Sequence, residues 1–232
     1  DPEMSRGLGD VYKRQIISGH LDSYDVATGG IDCGTGIGPM MEAARMIALS
    51  GAKPKRTILF VAFAGEEFGL LGAKAYVKTH AKELGKIANL FNRDGGPTPP
   101  VGISVPQAMY DDFVEVCKPV KEIRADYPFE VKVAKPFKRP TQSGGTDASV
   151  FAVEGVPTFG FNTQDIKGYN FSYGEIWHTE RDLYTKNIPE YQEHAATVTA
   201  VVALGIANLS KQLSRDCLLY TSPSPRDISG SR

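Results

Sequence analysis

The chain has 232 residues, a formal net charge of −1, three cysteines and four histidines. Hydrophobic residues make up 41% and charged residues 23%, which fits one ordinary globular domain and excludes a disordered or collagen-like chain. The near-neutral balance argues against a nucleic-acid or acidic-membrane binder, which needs a basic surface. The apolar runs 58–64 and 198–209 are too short and interrupted to span a bilayer, and no cysteine sits in a Cys-x-x-Cys pattern.

The two ends read differently from the rest. Residues 5–15 (SRGLGDVYKRQ) back-translate into one strand of a transposase sequencing adapter, and residues 217–227 (CLLYTSPSPRD) into its reverse complement. Residues 1–15 and 217–232 are therefore expected to be translated adapter, with the natural domain over 16–216. A natural Ser/Pro-rich tail is the alternative.

Within 16–216, residues 16–19 read as the end of a strand. Apolar residues Ile37, Met40, Met41, Ala44, Ile47 and Ala48 then recur at helical spacing. Thr35 is the expected start of that helix, Gly51 its stop, and Pro39 belongs in the first turn. Residues 57–64 (TILFVAFA) form a continuous apolar run, expected of a strand covered on both faces. A short helix is predicted over 71–79 and a second buried strand over 87–91. Residues 95–100 (GGPTPP) mark a loop. A helix over 107–117, a strand over 130–134, a helix over 147–153 and a strand over 158–161 follow. A long helix closes the domain over 187–210, with Pro189 in its first turn and Glu190 placed to complete a cap. This alternation predicts an α/β sandwich around a central sheet, with sites on the loops beyond the strand ends.

Metal-ligand side chains collect at those ends. His20-Leu21-Asp22 follows the first strand, and Asp32 lies in a glycine-rich loop entering a helix. Glu66-Glu67 ends TILFVAFA, Asp94 ends IANLF, and His178 precedes the last helix. Singly, each reads as a surface pair, a solvated edge, a turn former or a packed ring. Together they would be costly to bury without cations. Two imidazoles and three carboxylates can hold two divalent ions, one carboxylate bridging, and suit zinc. Two ions about 3.5–4 Å apart activate a shared water, whose proton a further carboxylate must take. If Glu66 and Glu67 both continue the strand they point oppositely, one to metal and one to that water. His80 and His194 fall in predicted helices and read as surface residues.

The motifs GHLDS, GGIDCGTG, FAGEEFGLLGA, NRDGG and WHTERD, in this order from Ile17 to about Ser214, resemble the co-catalytic di-zinc aminopeptidase family of metallopeptidases. HLDSYDVATGGID and GGTDASVFAVEGVPTFGF are most similar to its carboxypeptidase Q-like branch. The resemblance implies a three-layer sandwich with a mixed, mostly parallel sheet lacking its first strands. It implies a zinc-dependent exopeptidase acting on short peptides or dipeptides through a metal-bridged hydroxide, without a covalent intermediate. Asp32 would bridge two Zn²⁺, His20 and Asp94 completing one site, Glu67 and His178 the other. Glu66 would be the general base that later protonates the leaving amine. Asp22 would hold the His20 imidazole in its ligating tautomer, and Asp182 would act similarly near His178. The parent would be exported, to the periplasm or outside the cell.

The chain departs from the family pattern in places. Cys33 stands where relatives carry Asn or Asp. Ala148 stands where many carry His, which fits the carboxypeptidase Q-like branch. The residue that polarises the scissile carbonyl is unplaced; Tyr173 and Asn162 are candidates, with loop packing the alternative for each. Two other functions share this fold: a single-zinc glutaminyl cyclase-like acyltransferase, separable by metal stoichiometry, and a non-catalytic receptor-like domain, which loses ligands.

Overall fold

The computed structural model describes residues 14–135 and 139–214. Its elements in chain order are β1 (Arg14–His20), α1 (Gly34–Leu49), β2 (Thr57–Phe63), α2 (Leu71–Thr79), β3 (Ile87–Asn92), β4 (Pro100–Val105), α3 (Tyr110–Cys117), α4 (Val120–Ile123), β5 (Glu130–Val133), α5 (Asp147–Val153), β6 (Thr158–Phe159), β7 (Phe161–Thr163) and α6 (Pro189–Asn208). Of the expected adapter segments, 1–13 and 217–232 lie outside the described residues. Arg14 and Gln15 form the first rungs of β1, two residues before the expected strand start. Gln15 is buried, and its amide donates to the Ala203 carbonyl at 2.6 Å.

Strands β2-β1-β3-β6 form one parallel sheet in that order. Strand alternation splits its side chains into two cores. Ile17, Phe91 and Phe159 face α1, α3 and α6 through Met40, Phe113, Val198 and Val202. Ile16, Leu90 and Phe63 face α2 and α5 through Ala73, Val150 and Phe151. The result is a three-layer α/β sandwich. A second ladder, β5-β4-β7, pairs β4 parallel to β5 and antiparallel to β7. Among the described residues no helix is long and apolar enough to cross a membrane.

Several local expectations change. TILFVAFA is half-buried rather than covered on both faces, because β2 is an outer strand of the described sheet. Pro39 lies in the second turn of α1, not the first. The Thr35 carbonyl that its missing N–H cannot serve accepts Arg93 Nε at 2.7 Å instead. Glu190 does not cap α6; its carboxylate accepts Lys167 Nζ and the Tyr169 hydroxyl. His194 is buried rather than at the surface, its Nε2 lying 3.1 Å from the Pro100 carbonyl and its ring against Tyr127. His80, just past α2, is half-buried and stacked on Tyr76. The sequence hides strand β4 because its first residue is the proline that closes the GGPTPP loop, a position where a strand tolerates proline.

Candidate metal centre

Parallel pairing brings the carboxyl ends of β2, β1 and β3 to one edge, with β1 in the middle. Gly19 is level with Ala62 and Ser18 with Asn92. His20 therefore stands between the turn that carries Glu66-Glu67 and the loop that carries Asp94. Those glutamates do not continue β2 as expected. Gly65 takes a left-handed conformation (φ +71°), open to glycine without strain, and turns the chain. The Glu66 and Glu67 N–H groups then donate to Asp22 Oδ1 and Oδ2, each at 3.1 Å.

His20 Nε2 lies 3.0 Å from Asp32 Oδ1 and 3.4 Å from Asp94 Oδ1. A ligand atom from each of His20, Asp32 and Glu67 falls within 4.8 Å of the others. Glu67 Oε2 in turn is 2.8 Å from His178 Nε2. Asp32 thus stands between a His20–Asp94 group and a Glu67–His178 group, and the Tyr173 hydroxyl donates to its Oδ2 at 3.0 Å. Asn162 is placed elsewhere, exposed on β7 with its amide donating to Ser104 Oγ. Glu66 is buried on the same turn as Glu67.

The supporting contacts differ from the expected ones. His20 Nδ1 is 2.8 Å from the main-chain carbonyl of Asp22 and 3.8 Å from its carboxylate. A proton on Nδ1 donates to that carbonyl and leaves Nε2 facing Asp32 and Asp94 as the nitrogen that could hold a metal; the carboxylate braces the Glu66-Glu67 turn. Asp182 serves Asp32 rather than His178: its carboxylate accepts Ile31 N–H at 2.7 Å and Asp32 N–H at 3.0 Å. The His178 backbone is left-handed (φ +58°), an expensive conformation for a non-glycine residue, and its ring is held between Tyr24 (4.4 Å) and Trp177 (4.2 Å). Sequence reasoning missed Tyr24, and no spacing signal marks it.

The electrostatics favour a cation here. The side chains of Asp32, Asp94 and Glu67 are 1–2% exposed. Three buried carboxylates need positive charge beside them. Burial alone would lower the His20 pKa, but the Asp32 and Asp94 carboxylates outweigh it and hold the ring protonated far above its usual range. Burial pushes the Asp182 carboxyl up, against the opposing pull of its two N–H donors. It pushes the Cys33 thiol up as well. Imidazole nitrogens and carboxylate oxygens at these separations form a donor set that fits zinc.

The sequence profile described as Peptidase family M28 matches residues 9–202. Carboxypeptidase Q of Mus musculus is 30% identical over 209 residues, which cover 89% of this chain and 42% of that protein. The crystal structure of a peptidase M28 precursor from Shewanella amazonensis SB2B superposes with a TM-score of 0.73 at 31% identity, covering 90% of this chain and 44% of that one. BSAP, a zinc aminopeptidase from Bacillus subtilis, shares the fold, with a TM-score of 0.63 at 21% identity over 94% of this chain and 51% of its own. The chain thus spans less than half the length of the mouse and Shewanella relatives.

Proposed function

The chain belongs to peptidase family M28, and from that premise we propose that it carries the catalytic centre of a zinc-dependent exopeptidase of aminopeptidase or dipeptidase type, cleaving short peptides. The observation that carries this reading is the position of Asp32, a buried carboxylate flanked by His20–Asp94 and by Glu67–His178. Two zinc ions held by these five side chains would supply Lewis acidity, lowering the pKa of water and polarising a carbonyl.

The protein's own groups do the rest. Asp32 serves both groups, and the Tyr173 hydroxyl and the Asp182-anchored loop hold it in place. Glu66 is the carboxylate left over for proton transfer. It takes the proton of the attacking water and returns it to the leaving amine. Asp22 keeps Glu66 and Glu67 on one rigid turn, so the base and its ligand neighbour move together. No nucleophilic side chain is required, so the substrate stays unattached throughout.

The test is zinc content together with hydrolysis of a dipeptide panel. Glu66→Gln should keep zinc and lose about 10²–10⁴ in rate. Asp32→Ala should lose both. An Asp32→Ala chain that retains its zinc and its rate would refute the reading.

A further inference from the structure

Cys33 stands in the two-ion arrangement where no sulfur is required. It follows Asp32 directly, sits at the N-cap of α1 and is 1% exposed. Its Sγ, a His20 ring nitrogen and an Asp94 oxygen all lie within 4.8 Å of one another. Bond lengths of about 2.0 Å to nitrogen and about 2.3 Å to sulfur put donors on one zinc roughly 3–4 Å apart, inside that limit, so one ion could reach all three. The sulfur is also held in position. As a thiol it donates its S–H to the Arg93 carbonyl at 3.0 Å, a bond given up when the sulfur deprotonates. A Cβ on Gly36 would collide with Sγ, and one on Gly19 would press on it at 3.3 Å, so two missing side chains make its seat. A cysteine that only fills a core sits among apolar groups. This one faces an imidazole and a carboxylate.

Building on the two-ion reading above, we infer that Cys33 is a thiolate ligand at the His20–Asp94 position. The S–H bond breaks as the sulfur–metal bond forms, and its proton passes to solvent. His20, Asp94 and Cys33 then give this position three donors, one of them sulfur. Among the described residues the Glu67–His178 position has no such sulfur, and its His178 side chain is 30% exposed. The two positions therefore differ in character. The buried one favours thiophilic ions such as zinc, cobalt and cadmium over manganese and magnesium, and holds its ion longer. The half-open one is where substrate enters.

The experiment is cobalt(II) titration of the full chain with Cys117 and Cys217 replaced by serine, so that Cys33 is the only thiol. Visible ligand-field bands report the imidazole and carboxylate donors. A near-ultraviolet thiolate-to-cobalt charge-transfer band reports the sulfur. Both sets of bands are expected. Cys33→Ser and Cys33→Asp should each abolish the charge-transfer band and keep the visible bands. Each should also lower the ratio of cadmium to manganese affinity by roughly tenfold or more. Circular dichroism identifies which variants are folded, and Cys33→Asp, which keeps an oxygen donor, covers a failure of Cys33→Ser. Visible bands without charge transfer in the Cys33 protein overturn the inference and leave the metal centre standing. Absence of both from a folded chain overturns the two-ion reading as well.

Discussion

Asp182→Ala and Asp182→Asn separate two ways in which the Asp32 loop could be held. The Asp182 side chain accepts the N–H groups of Ile31 and Asp32, both belonging to residues 0–1% exposed. Its own carbonyl also accepts from Thr28. Hydrogen bonds to a charged acceptor contribute about 1.5–3 kcal/mol each, and a buried donor left unserved costs a similar amount. Alanine removes both bonds and should cost about 3–5 kcal/mol of unfolding free energy. Asparagine keeps one oxygen and turns its NH₂ toward the other N–H, so its loss should be about 1.5–3 kcal/mol. The same loop carries Asp32, so zinc affinity should fall by about 10–100-fold in either variant. Urea unfolding with a chelator present measures the first effect, and zinc titration of the folded variants measures the second. Midpoints equal to that of the unsubstituted chain would refute the anchoring argument. Lost stability with unchanged zinc affinity would show that the anchor does not position Asp32.

Arg93→Met removes the guanidinium bonds to the Thr35 carbonyl (2.7 Å) and the Thr98 carbonyl (3.1 Å), and should cost about 3 kcal/mol in a urea melt. Adding Pro39→Ala restores an N–H for Thr35, so the double variant should recover part of that loss; a simple sum of the two single effects would refute the pairing. Burial lowers the His194 pKa below its ordinary 6.5, so the unfolded chain binds that proton more readily than the folded one. This contribution to stability is complete above about pH 6.5 and declines as the pH falls below it. His194→Phe should flatten the dependence of the unfolding midpoint between about pH 5 and pH 7; an unchanged slope would assign the acid sensitivity elsewhere. A Cβ at Gly30 would strike the backbone of Leu183 and Tyr184, so Gly30→Ala should push the Asp182 segment off the Asp32 loop. It should lower thermal stability and zinc affinity together, and a loss of one alone would contradict the close approach.

The ligand types could be read from the sequence because they obey a rule of chain geometry. In a parallel sheet the strand ends share an edge, so His20, the Glu66-Glu67 pair and Asp94 are neighbours once β1, β2 and β3 are recognised. Helices α2 and α5 were readable to the residue, each a compact apolar pattern between breakers. What escaped has a common cause. Asp22, Asp182 and Arg93 bond to main-chain N–H and carbonyl groups, which every residue carries, so no residue type or spacing advertises the partner. Asp182 therefore reads from sequence as a partner of His178, whereas its carboxylate serves the N–H groups of Ile31 and Asp32. His194 escaped for a different reason: TVTAVVALGIA is apolar on nearly every side of α6, so the helix has no polar face to mark which residues are exposed. The division has a mechanical consequence. The side chains with legible chemistry point into the centre, while the loops that aim them are held by side-chain bonds to main chain at Asp22, Asp182 and Arg93. Substitutions at those three positions should therefore disturb metal binding although none of the three is assigned as a metal ligand.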